Sequence, residues 1–144
     1  MNNTTRLERL PQTGARAYPP RHSAFTAVFW EALREGTWQT TRCGACGHAT
    51  FPPKPVCPHC WSTDMQWAPL GARGRLYSWT RIHAAPAVFA AESPYAVGIV
   101  DLDDGLRLAC RLVETDNIPW TPGMPVEMVV LSYEDGPLFA ARPI

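Results

Sequence analysis

Residues 42–60, RCGACGHATFPPKPVCPHC, decide how the chain is read. Two Cys-x-x-Cys pairs, Cys43/Cys46 and Cys57/Cys60, stand ten residues apart. A Cys-x-x-Cys turn aims two sulfurs at one point. Two such turns complete the tetrahedral shell of thiolates, at about 2.3 Å, that zinc prefers. Gly44 and Gly47 suit the first turn, where backbone passes close to sulfur, and Pro58 stiffens the second. Four thiolates leave no open coordination position, so the expected site is structural: one metal per chain, with no catalytic residue of its own. Iron uses the same spacing and stays open as the alternative. A thioredoxin-type couple needs a single pair ahead of a helix in a βαβ context, and a disulfide framework belongs to secreted chains.

The stretch around these pairs, 38–68, is rich in Pro and Gly and poor in aliphatics. About 30 residues of that composition bury too little apolar surface to hold themselves together, which is the task a metal clamp performs. Ahead of it Ser23 reads as an N-cap. Phe25, Val28, Phe29, Ala32 and Leu33 follow on one helical stripe, and Gly36 is a stop, giving a helix over about 23–35. Residues 1–22, polar and with prolines at 11, 19 and 20, are expected to form a flexible arm with little structure of its own.

Beyond the cysteines the pattern changes to short strands: 74–83, 95–102, 106–113, 125–133 and 138–142. Asp103-Asp104-Gly105 and Glu134-Asp135-Gly136 turn the second strand into the third and the fourth into the fifth. Five strands with a longer connection between the third and fourth suit a small closed barrel of OB type. The expected fold class is therefore mainly β, divided into an arm (1–22), a helix with a zinc ribbon (23–68) and a five-stranded OB-fold barrel (69–144), with a partly open sandwich as the alternative to the barrel.

The 144 residues carry 13 Lys+Arg against 13 Asp+Glu. A balanced charge argues against a nucleic-acid footprint, which needs a basic excess. No stretch approaches the ~20 apolar residues of a membrane span, and no leader is visible, so the expected location is the cytoplasm. His48 and His59, in or beside the knuckles, read as surface residues, with His59 pointing away from the metal. Cys110, the fifth cysteine, reads as a small buried apolar residue. Asp101, Asp103 and Asp104 read as turn composition. Arg73, Arg75 and Arg81 form a small basic group that reads as solvated charge, with the phosphates of a small ligand as the functional alternative. His83 opens an apolar loop, 84–94, which is the best candidate for a substrate-facing element. Tyr77, Trp79 and Phe89 motivate a second reading, an OB module stacking the bases of a single strand. An iron-binding electron carrier is a third.

Several motifs taken together, FWEALREG (29–36), the cysteine stretch, GARGRLYSWTRIH (71–83), SPYAVGIVDLDDGLRLACRL (93–112) and PGMPVEMVV (122–130), resemble the zinc-ribbon/OB-fold acyl-CoA-associated proteins known as domain of unknown function family thirty-five. The resemblance runs over about 25–142. It implies zinc at Cys43, Cys46, Cys57 and Cys60. It further implies a non-catalytic accessory subunit docked on a thiolase-like enzyme that performs acyl transfer, thiolysis or retro-aldol cleavage of CoA thioesters. The CoA thioester would be held jointly with that partner, in a hetero-oligomer with neither nucleic acid nor membrane.

Overall fold

Ser23 caps the helix as its sequence suggests. Its Oγ accepts from the Thr26 N–H at 3.1 Å, while its own N–H donates to Thr26 Oγ1 at 2.7 Å. The resulting helix, α1, spans Ala24–Arg34, and the Gly36 N–H closes it on the Leu33 carbonyl at 2.9 Å. The computed structural model describes residues 4–115 and 117–144. Within the apolar stripe, Phe29 and Leu33 are buried and Val28 is exposed, so the helix packs on its own chain along a narrower line than the stripe.

The ribbon is a small antiparallel sheet centred on β3 (Thr37–Cys43), which pairs with β4 (Ala49–Thr50) and β5 (Met65–Pro69). Its far end is not left to the metal. Trp38 is fully buried, and its Nε1–H donates to the Gly71 carbonyl at 3.0 Å. Phe29, Phe51 and Phe139 lie around it with ring centroids 5.5–6.1 Å away. These aromatics come from the helix, the ribbon and the barrel, so one hydrophobic core serves all three.

The barrel strands are β6 (Arg73–Ile82), β7 (Tyr95–Leu102), β8 (Arg107–Leu112), β9 (Pro125–Tyr133) and β10 (Gly136–Pro143). They form an antiparallel meander β6–β7–β8, a β9–β10 hairpin, and two closing contacts: β10 runs parallel to β8, and β9 pairs with β6. That closure makes a five-stranded OB barrel. Leu76, Val100, Leu108, Leu112, Val126 and Val130 fill it. A bulge between Leu76 and Ser78 shifts the β6 register, so Trp79 packs toward the core.

The expectation of an arm with little structure does not hold for the described residues. Thr5–Arg6 (β1) pairs antiparallel with β3, and Arg9–Pro11 (β2) pairs parallel with β9. Leu7, between them, is buried in the shared core. Arg16 is buried against the β9–β10 turn: its backbone N–H donates to Asp135 Oδ1 at 2.8 Å, and its guanidinium to the Asp135 and Pro137 carbonyls at 2.9 and 3.2 Å. The segment laces the ribbon to the barrel. Its two strands are only two and three residues long, and they pair with partners over 30 and about 120 residues away, so no local periodicity marks them.

Candidate metal centre

The two knuckles are built alike. After Cys43, its N–H meets the His48 carbonyl and the Gly47 N–H meets the Cys43 carbonyl, both at 2.9 Å. After Cys57, its N–H meets the Ser62 carbonyl and the Trp61 N–H meets the Cys57 carbonyl, again both at 2.9 Å. Each turn lets backbone amides approach sulfur: Cys46 N–H to Cys43 Sγ, and His59 N–H to Cys57 Sγ, both at 3.4 Å.

The geometry brings all four sulfurs within 4.8 Å of one another. Cys43 and Cys60 stand 3.6 Å apart, and Cys46 and Cys57 3.5 Å. Tetrahedral thiolates at about 2.3 Å from one ion lie roughly 3.8 Å apart, whereas a disulfide needs about 2.05 Å. The donor set therefore fits a metal of the zinc type and does not fit disulfides. Cys43 and Cys57 are buried, while Cys46 and Cys60 face outward. The Cys46 N–H at its sulfur is the main reason the Cys43 thiol is held down to about 6, poised to give up its proton.

The histidines lie outside the sulfur cluster. The His48 and His59 rings, one from each knuckle, stack on each other at 4.1 Å, and His48 Nδ1 lies 3.3 Å from Cys46 Sγ. Neither belongs to the group of clustered ligand atoms. Three residues that support the knuckles escaped the sequence reading. Asp64 lies so close to Gly44 that any side chain there would meet its carboxylate at 2.3 Å, so that glycine answers to Asp64 rather than to sulfur. Thr41 Oγ1 accepts the Lys54 N–H at 2.9 Å, tying the loop between the pairs to β3. Trp61, the third, stands in left-handed backbone at φ 65 and is 79% exposed. The visible signal was the contrast between Cys-x-x-Cys-Gly in the first knuckle and Cys-x-x-Cys-Trp in the second.

The remaining candidates are dispersed. Cys110 packs against the barrel core, where burial pushes its thiol up to about 12, the opposite of an activated nucleophile. Asp101 pairs with Arg107 at 2.6 Å, and Asp104 accepts from the Gly71 N–H at 2.8 Å. The arginine group does not assemble. Arg75 donates to the Gly123 carbonyl, while Arg81 pairs with Glu114 at the far end of β6, roughly 20 Å along the strand. His83 is exposed, and its carbonyl accepts from Ser93 Oγ. The 84–94 loop contains a 3₁₀ turn, Ala87–Glu92, pinned by a Glu92–Arg111 ion pair at 3.1 Å. The three proposed base-stacking rings each have another engagement: Arg107 sits 3.8 Å over Tyr77, Trp79 packs toward the core, and Phe89 lies 5.9 Å from Tyr95.

Comparison with known proteins gives two family matches: the rubredoxin-like zinc ribbon domain of ChsH2 over residues 30–66, and the C-terminal OB-fold domain of ChsH2 over 67–131. A DUF35 domain-containing scaffold protein of Methanothermobacter thermautotrophicus is 31% identical over 90 residues, which are 62% of this chain and 68% of that protein. The benzoylsuccinyl-CoA thiolase subunit BbsA of Thauera aromatica is 37% identical over 71 residues, 49% of this chain and 48% of that one. The chain spans from about a third to under two thirds of the length of the first curated relatives it matches. Among solved structures, a chain of the Ltp2-ChsH2(DUF35) aldolase superimposes with a TM-score of 0.76 at 33% identity, over 87% of this chain and 98% of that one.

Proposed function

Because this chain belongs to the ChsH2 (DUF35) family of zinc-ribbon/OB-fold proteins, we propose that it is a non-catalytic accessory subunit of a thiolase-like enzyme acting on CoA thioesters. The observation that carries the reading is the likeness to the chain of the Ltp2-ChsH2(DUF35) aldolase over nearly its whole length. In this reading Cys43, Cys46, Cys57 and Cys60 hold one zinc, which supplies folding energy and no chemistry. The half-buried position of Cys110 against the barrel core and its raised thiol support leaving nucleophilic work to the partner. The chain's own part is rigid placement. The ribbon, arm and barrel share one core, so a partner meets a single preformed surface that can exclude water from a reactive acyl or carbanion intermediate.

The test is co-expression with a thiolase-like protein encoded beside this chain. The expected result is co-elution as a hetero-oligomer containing zinc, with thioester turnover that requires both chains. A partner that is stable and fully active alone would sink the proposal, as would turnover by this chain alone.

A further inference from the structure

Among the described residues, two that are not glycine stand in left-handed backbone, Trp61 and Asn117. Asparagine takes that conformation readily, because its short side chain bonds locally; a bulky indole does not. Nothing inside the chain offsets the choice of tryptophan. Its backbone N–H closes the second knuckle on the Cys57 carbonyl, which glycine would do equally well. Its ring joins none of the aromatic contacts that hold the ribbon to the barrel, and it is 79% exposed. Val56, just ahead of the second cysteine pair, is exposed as well. Backbone strain that the fold itself does not use marks a residue kept for what it meets outside the fold.

The shape of the site selects the partner. An indole projecting from a turn cannot floor a ligand pocket; it enters a concavity on another macromolecule. The balanced charge, 13 Lys+Arg against 13 Asp+Glu, gives nucleic acid little to hold. A second copy does offer an apolar concavity, the cleft of about 220 Å³ between α1, the Phe51–Pro53 loop and β10, lined by Phe29, Trp30, Phe51 and Phe139. Two indoles inserted reciprocally into two such clefts would bury roughly 800 Å². That falls short of the ~1,200 Å² at which stable interfaces begin, so a larger partner surface is needed.

We propose that Trp61 is the anchor by which this chain docks on its thiolase-like partner. The indole fills an apolar pocket of that subunit, where a carbonyl or carboxylate accepts its Nε1–H. The inference rests on the accessory-subunit reading above. Its test uses the complex co-expressed and purified with zinc, diluted and followed by sedimentation. Trp61→Gly and Trp61→Asn both suit left-handed backbone, so each should keep the zinc content and the unfolding midpoint of the free chain. Each should nevertheless let the complex dissociate at a concentration about thirtyfold higher than the parent does, as expected for a central interface tryptophan. Trp61→Phe, which keeps an aromatic ring, should fall between. Hydroxyl-radical footprinting should oxidise Trp61 readily in the free chain and protect it at least fivefold in the complex.

Glycine and asparagine variants that hold the partner as tightly as the parent would overturn the inference and leave the accessory-subunit reading standing. So would a Trp61 oxidised as readily in the complex as in the free chain. Protection of Trp61 that grows with the concentration of this chain alone, with dimers that Trp61→Gly abolishes, would place the indole in a second copy and overturn it too. Failure of the parent chain to form any complex would sink the accessory-subunit reading itself, and this inference with it.

Discussion

Gly47 and Trp61 occupy the same place in two successive knuckles. Each follows the second cysteine of its pair, and each donates its N–H to the first cysteine's carbonyl at 2.9 Å. Each also sits in left-handed backbone, at φ 82 and 65. Glycine takes that conformation without penalty; a residue with a Cβ pays about 1 kcal/mol or more. The chain carries the strain at Trp61 and leaves the indole in solvent. Trp61→Gly is therefore expected to stabilise the ribbon by about 0.5–1 kcal/mol, and Gly47→Ala to destabilise it by a similar amount. Denaturant unfolding of the zinc-loaded variants measures both.

Metal removal should act locally before it acts globally. Chelation is expected to melt the knuckles, 43–64, while the barrel strands remain protected, because the barrel has its own filled interior. Hydrogen exchange with and without chelator reads this directly. Cys43→Ser should reproduce the chelated pattern, and Cys110→Ala should be mild. With zinc bound, iodoacetamide at pH 8 should leave Cys110 unlabelled, since its thiol lies near 12.

Acid should release the metal in a definite direction. Without metal, the Cys43 thiol is held at about 6 against its ordinary value of 9.0. Cys43 by itself would favour the folded knuckle above pH 9 and lose that contribution as pH falls through about 6, but the neighbouring Cys46 thiol is pushed up to about 12, so the direction of release comes from proton competition with the metal. Protons then compete with zinc for all four sulfurs. Zinc retention, followed with a chromophoric chelator, should hold at pH 8 and fall steeply below about pH 6. Release that grew as pH rose from 6 to 8 would contradict this account.

Arg16 fastens the N-terminal segment. It is buried, its guanidinium serves two carbonyls, and a side chain on Gly136 would lie 2.5 Å from it. Arg16→Ala should cost about 1.5–3 kcal/mol, as expected for hydrogen bonds to a charged group. Gly136→Ala should produce a similar loss by displacing the guanidinium. Limited proteolysis within 1–22 should accelerate in both variants.

Trp38 joins the two units. Trp38→Ala empties the centre of the Phe29–Phe51–Phe139 cluster and should cost about 3–5 kcal/mol. Separate melting of ribbon and barrel, seen as two transitions in place of one, would be the signature.

The sequence by itself determined the parts whose physics is local. Two sulfur turns, an N-capping serine, alternating strands and Asp-Gly turns each declare themselves within a few residues, and the structure places the cysteine cluster, the helix and all five barrel strands where those signals stand. Only the tertiary structure decided how the parts share an interior. The metal was expected to stand in for a missing core. Instead the four sulfurs cluster only at the knuckle end of the ribbon, while Trp38 at the other end of β3 borrows the barrel's core. The two short strands of the presumed arm, the parallel closure of β8 on β10 and the aromatic cleft against β10 all join residues far apart in the chain. Such contacts form only when loop closure brings their partners together, and two or three residues of pairing leave no periodicity to see beforehand.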